Sequence, residues 1–216
     1  MTRTVRPFLR AVWSEGTKLP SLPATRRVLL AAALLAAVLR VRQPAGAIAP
    51  DVGGYVLLQV LTAAAGALSV TSEYATGMMR LSMVAVPRRG LLLAAKAVVC
   101  AAACFAIGAV SGPAGGLYLA LAGLAGVATG FLARSATAAW VLLVGAAVGD
   151  ALLVRLLPDR PARAASRFSP TAAGDRFLDG RHAQSMPSPW AGAGLLAAVA
   201  VIALVSAFVV SHHREH

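Results

Sequence analysis

Thr71-Ser-Glu-Tyr-Ala-Thr-Gly-Met-Met-Arg-Leu-Ser-Met-Val-Ala-Val-Pro-Arg-Arg-Gly90 lies between two long apolar runs. It is too polar to cross a bilayer and too regularly patterned for a plain loop. Met78, Met79, Leu81, Met83, Val84 and Val86 alternate with Arg80 and Ser82, and Arg88, Arg89 and Lys96 then load one side of the membrane with positive charge. A short amphipathic element held between two spans, on the basic side of the bilayer, is a shape that can pass force to a soluble partner. That reading makes the chain a polytopic, all-α membrane protein.

The bulk composition agrees. Hydrophobic residues are 58% of the 216 and charged residues 13%, about half the charge of an ordinary soluble domain. Mean hydropathy is +0.74. The net charge of +12 comes with only 6% aromatic residues, and no basic stretch is interleaved with them, so nucleic acid is not an expected partner. Basic residues stand instead at the ends of apolar runs, where they set membrane orientation.

Six apolar runs are read as spans. The first, Val28–Leu39, is short and fenced by Arg26, Arg27, Arg40 and Arg42, so it crosses only if those arginines snorkel or the bilayer thins. The second covers about Val52–Val70, with Gln59 near its middle. The third covers Leu91–Val110, with Lys96 in its second turn, placed to snorkel to the surface. The fourth and fifth cover about Ala114–Ala133 and Ser135–Val154, and the sixth Pro189–Val210. The larger share of Lys and Arg falls on one side if both termini are cytoplasmic, the orientation expected in the plasma membrane.

Residues 1–27 then form a cytoplasmic segment, 28–210 the transmembrane domain, 71–90 its coupling segment, 155–188 an extracytoplasmic loop and 211–216 a polar tail. In the first segment Val5, Phe8, Leu9, Val12, Trp13 and Leu19 recur at helical spacing, which predicts a helix lying in the membrane interface with its apolar face down. Ser111-Gly-Pro-Ala-Gly-Gly116 has the breakers of a tight helical hairpin. Glycines one turn apart, Gly126/Gly130 and Gly145/Gly149, predict close helix packing within the bundle.

Motifs of enzyme chemistry are absent or out of context. Thr25-Arg-Arg-Val-Leu-Leu30 followed by Ala45-Gly-Ala47 has the look of an export signal, but it reads more simply as a positively flanked first span. His212-His-Arg-Glu-His216 matches a zinc-protease pattern, yet these are the last five residues, with no downstream ligand. Cys100 and Cys104, one helical turn apart, are too constrained for an easy disulfide and read as small apolar packing residues. There is no phosphate-binding loop of the G-x-x-x-x-G-K-[ST] type. Asp150 is the only acid inside an apolar run and sits near its outer end. Gln59 reads as a helix–helix hydrogen-bonding residue or as part of a substrate path. No metal site and no catalytic group is expected.

Three stretches carry a resemblance. Ser14-Glu-Gly-Thr-Lys-Leu19, the stretch Val70–Arg80 with Ala85-Val-Pro-Arg-Arg89 and Ala95-Lys96, and Ser169–Gly174 with Ser188–Gly192 resemble, in order along the chain, permease subunits of type-2 ABC exporters. The resemblance implies a six-helix half-transporter. It would pair with a second permease, the same or a sister chain, and with separate ABC ATPase subunits. No cofactor would be bound by this chain, and ATP would be hydrolysed by the partner. Glu73, Tyr74, Thr76, Gly77, Met78, Met79 and Arg80 would form the ATPase-coupling contact, with Glu73 and Arg80 as polar anchors. Trp13, Ser14, Glu15 and Lys18 would belong to the interface helix, and Arg88, Arg89 and Lys96 would be cytoplasmic anchor charges. Gly16 departs from the aromatic residue of the family's pattern, and Pro20 and Pro23 from its basic ones. The alternative function is a non-transporting membrane partner, immunity or regulatory protein.

Overall fold

A computed structural model of the chain describes residues 2–42, 52–78, 89–156, 194 and 197–206. Among them it is all-helical. Helix α1 is Thr2–Ser21, α2 is Pro23–Arg42 and α3 is Val52–Ala75. Helix α4 is Arg89–Gly108, α5 is Pro113–Ala133 and α6 is Ala136–Leu156. A last apolar helix, α7, is Ala197–Ser206.

Three helical stretches are long and apolar enough to cross a membrane: Gly54–Ala75, Gly90–Ser111 and Pro113–Ala133. The pair Arg6–Ser21 and Pro23–Arg42 passes the same test only when taken together, and it is bent by 81°. Leu22 and Pro23 make that corner. Proline removes a backbone donor but fits the first turn of a new helix, and the Arg26 N–H still reaches the Leu22 carbonyl at 2.9 Å. The short first apolar run thus belongs to a 20-residue helix that presents Thr25, Ala32, Ala36 and Leu39 as one buried stripe, with Arg26, Arg27, Arg40 and Arg42 exposed. Two shorter apolar helices are Ala136–Asp150 and Ala197–Ser206. The sixth predicted span is described only over that second stretch, and residues 157–188 of the predicted loop lie outside the described residues.

The bundle is centred on α3 and α5, which pack most extensively, with α4 against α5, α2 against α3 and α1 against α4. Small residues set the α3–α5 distance. A Cβ at Gly126 would fall on the backbone of Ala63, one at Gly66 on the Gly123 carbonyl, and one at Gly130 on Ala67. These are backbone-to-backbone approaches that only glycine permits. Gly126 and Gly130 therefore act as their spacing predicts. Gly145 and Gly149 do not: a Cβ at either would meet nothing within 4 Å, because they lie on an outer face of α6 with Val141, Val144 and Val148.

Cys100 and Cys104 are buried and unbridged; the Cys104 sulfur lies where a Cβ at Gly123 would have to go, and the Cys100 sulfur packs beside it. They are packing residues. The α4–α5 hairpin forms where the breakers stand. Helix α4 runs into a short 3-10 turn, Ala109–Ser111, Gly112 takes φ of 110°, and Pro113 starts α5.

Candidate functional site: a buried ion cluster joining three helices

The predicted coupling segment divides differently from its sequence pattern. Thr71 to Ala75 continue α3 without a break, and Thr71 and Glu73 are buried. The helix stops at an exposed turn, Thr76-Gly77, followed by exposed Met78; Gly77 has φ of 70°, a left-handed conformation that costs glycine little. Residues Met79 to Arg88, with Arg80 and Arg88 among them, lie outside the described residues.

Glu73 points inward, as does Lys96 on α4; each residue is 2% exposed. The Lys96 ammonium donates to Glu73 Oε1 at 3.0 Å, to Glu15 Oε2 at 2.5 Å and to the Ser69 carbonyl at 3.3 Å. Lys18, one turn beyond Glu15 on α1, donates to Glu15 Oε1 at 2.8 Å and stands 3.6 Å from Glu73 Oε1. Two carboxylates and two ammonium groups from α1, α3 and α4 thus form one charge-balanced cluster. The predictions of Glu73 as an outward polar anchor and of Lys96 as a snorkelling surface charge are corrected. Each has opposite charge within reach inside the bundle, and a charge leaves water for a protein interior only when it is so paired.

Local sequence explains the convergence. On α1, Phe8, Ala11, Glu15 and Lys18 recur every three or four residues and are buried or half-buried, with Val12 beside them, so Glu15 and Lys18 share the face that packs on α4. On α3, Thr62, Gly66, Ser69 and Glu73 make a second such stripe, all buried. The hydroxyls of Thr62 and Ser69 bond back to carbonyls of their own helix, and the Ser69 carbonyl also accepts from Lys96. Among the described residues Glu73 Oε2 and the Thr71 and Ser72 hydroxyls have no hydrogen-bond partner.

Glu15 and Lys18 lie in α1, outside the three span-length helices. Burial pushes the Glu15 carboxyl up, but Lys96 and Lys18 outweigh it and hold it below its ordinary value. Burial pushes Lys18 down, and its bond to Glu15 outweighs this and raises it. Both shifts favour the charged forms.

The other predicted site residues distribute around this cluster. Tyr74 meets Phe131 edge-on at 6.5 Å, and the Arg134 guanidinium sits 5.8 Å above the Tyr74 ring. This cation–π contact ties the end of α3 to the end of α5. Thr76, Gly77 and Met78 are exposed at the turn, and the Thr76 hydroxyl donates to the Ser72 carbonyl at 2.9 Å. Trp13 and Ser14 are exposed on α1, the Ser14 hydroxyl donating to the Ala11 carbonyl. Arg89 begins α4.

A separate cavity of about 390 Å³ opens between α3, α5, α6 and α7. Its wall is mostly Ala, Leu and Val, with Gln59, Thr129 and Asp150 as the polar contributors. Tyr118 donates to Gln59 Oε1 at 2.6 Å, so Gln59 both bonds across helices and lines the cavity. Among the described residues no group of three or more His, Cys, Asp and Glu side chains could hold a metal. In comparisons with known proteins the chain matches no family model, no curated protein and no solved structure.

Proposed function

We propose that this chain is the membrane-spanning permease subunit of a type-2 ABC exporter. In this reading it has six spans, both termini are cytoplasmic, and it pairs with a second permease in the plasma membrane. Separate ATPase subunits hydrolyse ATP. The observation that carries the proposal is the ion cluster. Glu15 and Lys18, Glu73, and Lys96 come from two of the stretches on which the resemblance rests, which together reach α1, α3 and α4, and they meet in one buried site.

Force applied by an ATPase at the exposed turn Thr76–Met78 would enter α3 directly. Glu73 would pass it to Lys96 on α4 and Glu15 on α1 through charge-assisted hydrogen bonds, which are shorter and stronger than neutral ones. The contact surface itself would be the turn and the residues after it, with Met78 supplying adaptable apolar area. The cavity beside Gln59 offers the substrate path, since its size and its apolar wall with few polar groups suit a small-molecule site.

The test is co-purification from detergent-solubilised native membranes. A P-loop ATPase is expected to accompany the wild type and to be lost with Met78→Glu, a substitution on the exposed turn that leaves the buried cluster untouched. An unchanged complement of partners with Met78→Glu, or no ATPase with either protein, contradicts the proposal.

A further inference from the structure

Helix α1 does not lie flush on α4. Beside the contact runs an open groove of about 420 Å³, lined by Val12, Trp13 and Gly16 of α1 and by Val98, Val99 and Ala102 of α4. Trp13 is 79% exposed and Leu9 beside it 59%, a large apolar exposure on the side of α1 turned away from the ion cluster. Gly16 adds no side chain to this wall, and a Cβ there would meet nothing within 4 Å.

The charge around the groove has one sign. Arg10 and Arg6 stand one and two turns before Trp13 on the exposed side of α1. The only acid of α1 is Glu15, which is buried and neutralised by Lys96 and Lys18. An apolar slot floored by a span helix and edged by an indole, with two exposed arginines one and two turns away along α1, has the chemistry of an acyl chain joined to an anionic head. Tryptophan favours the level where chain and headgroup meet, and arginine pairs with phosphate oxygens.

We infer that this groove is a binding site for one anionic phospholipid, its acyl chain between α1 and α4 and its phosphate on Arg6 and Arg10. The inference rests on reading α1 as an interface helix, but it requires no ATPase. Bound there, the lipid fills the gap that Gly16 leaves and holds α1 against the bundle at the helix face next to the ion cluster.

The experiment uses the purified full chain in detergent with equimolar phosphatidylglycerol and phosphatidylcholine, and counts retained lipids by native mass spectrometry. The wild type is expected to keep one phosphatidylglycerol in preference to phosphatidylcholine. Arg6→Gln with Arg10→Gln should reduce that preference by about fivefold for each arginine removed. Gly16→Leu puts a side chain into the slot from a Cβ that meets nothing within 4 Å, and should abolish the retained lipid while helicity stays unchanged. Val98→Trp fills it from the α4 side and should do the same if Gly16→Leu proves hard to produce. Equal retention of the two lipids by the wild type, or retention unaltered by the filling variants, overturns the site. Loss of the ATPase from the co-purification, with the lipid still retained, would overturn the transport reading alone.

Discussion

Lys96 carries three N–H donors and meets three acceptors, Glu15 Oε2, Glu73 Oε1 and the Ser69 carbonyl, so its ammonium is fully satisfied without water. Removing that centre is costly, because Lys96→Met leaves two buried carboxylates facing each other with only Lys18 between them. Breaking a buried pair from one side costs about 3–5 kcal/mol. The cluster also makes stability depend on pH in a fixed direction. The Glu15 carboxyl is lowered, so its contribution is full above its ordinary value of 4.5 and is lost as the pH falls through the lowered one. Lys18 is raised, so its contribution is full below 10.5 and is lost as the pH rises through the raised value. Thermal unfolding of the purified chain is therefore expected to be flat between those limits and to weaken on both sides. In the Glu15→Gln variant the acid-side loss should shrink.

At the scale of the element, the α3–α5 pair is set by backbone contact rather than by large side chains. Gly126→Leu would drive a side chain onto the Ala63 backbone, which cannot yield as a flexible side chain would. It is expected to destabilise the chain by about 1–3 kcal/mol or more. Gly145→Leu, which meets nothing within 4 Å, should stay within about 0.5 kcal/mol of the wild type. Thermal unfolding of the two variants side by side checks the contrast.

The same elements show what was legible in the sequence. Pro113 and the glycines around it announce the α4–α5 hairpin because turn chemistry is local. Gly126 and Gly145 look alike at one-turn spacing, and only the neighbour across the gap tells them apart. The end of α3 lies beyond the end of the second predicted span for a related reason. Thr71, Ser72 and Glu73 are polar in a row, and a local pattern reads that as the end of a span. Glu73 is buried because Lys96 pairs with it and Glu15 shares that lysine, and these lie 23 and 58 positions away from Glu73. The signal is present as polar residues seven and four positions apart on one face of α3, Thr62, Ser69 and Glu73, with an isolated lysine in the next apolar run.

In the whole molecule, α1 is joined to the bundle chiefly through α4, and the ion cluster sits at that junction with Glu73 closing it to α3. The proposed coupling path from the exposed turn after α3 to the N-terminal helix runs through this cluster, by way of Lys96 and by the direct Lys18–Glu73 pair. The most direct test is a double-mutant cycle on Glu15 and Lys96, followed by thermal unfolding of the full chain in detergent. Glu15→Gln and Lys96→Met are each expected to destabilise the protein. The pair together should lose less than the sum of the two, by about 0.5–3 kcal/mol. Strict additivity would mean that the two groups act independently, and the cluster would no longer stand as the link between α1 and the bundle.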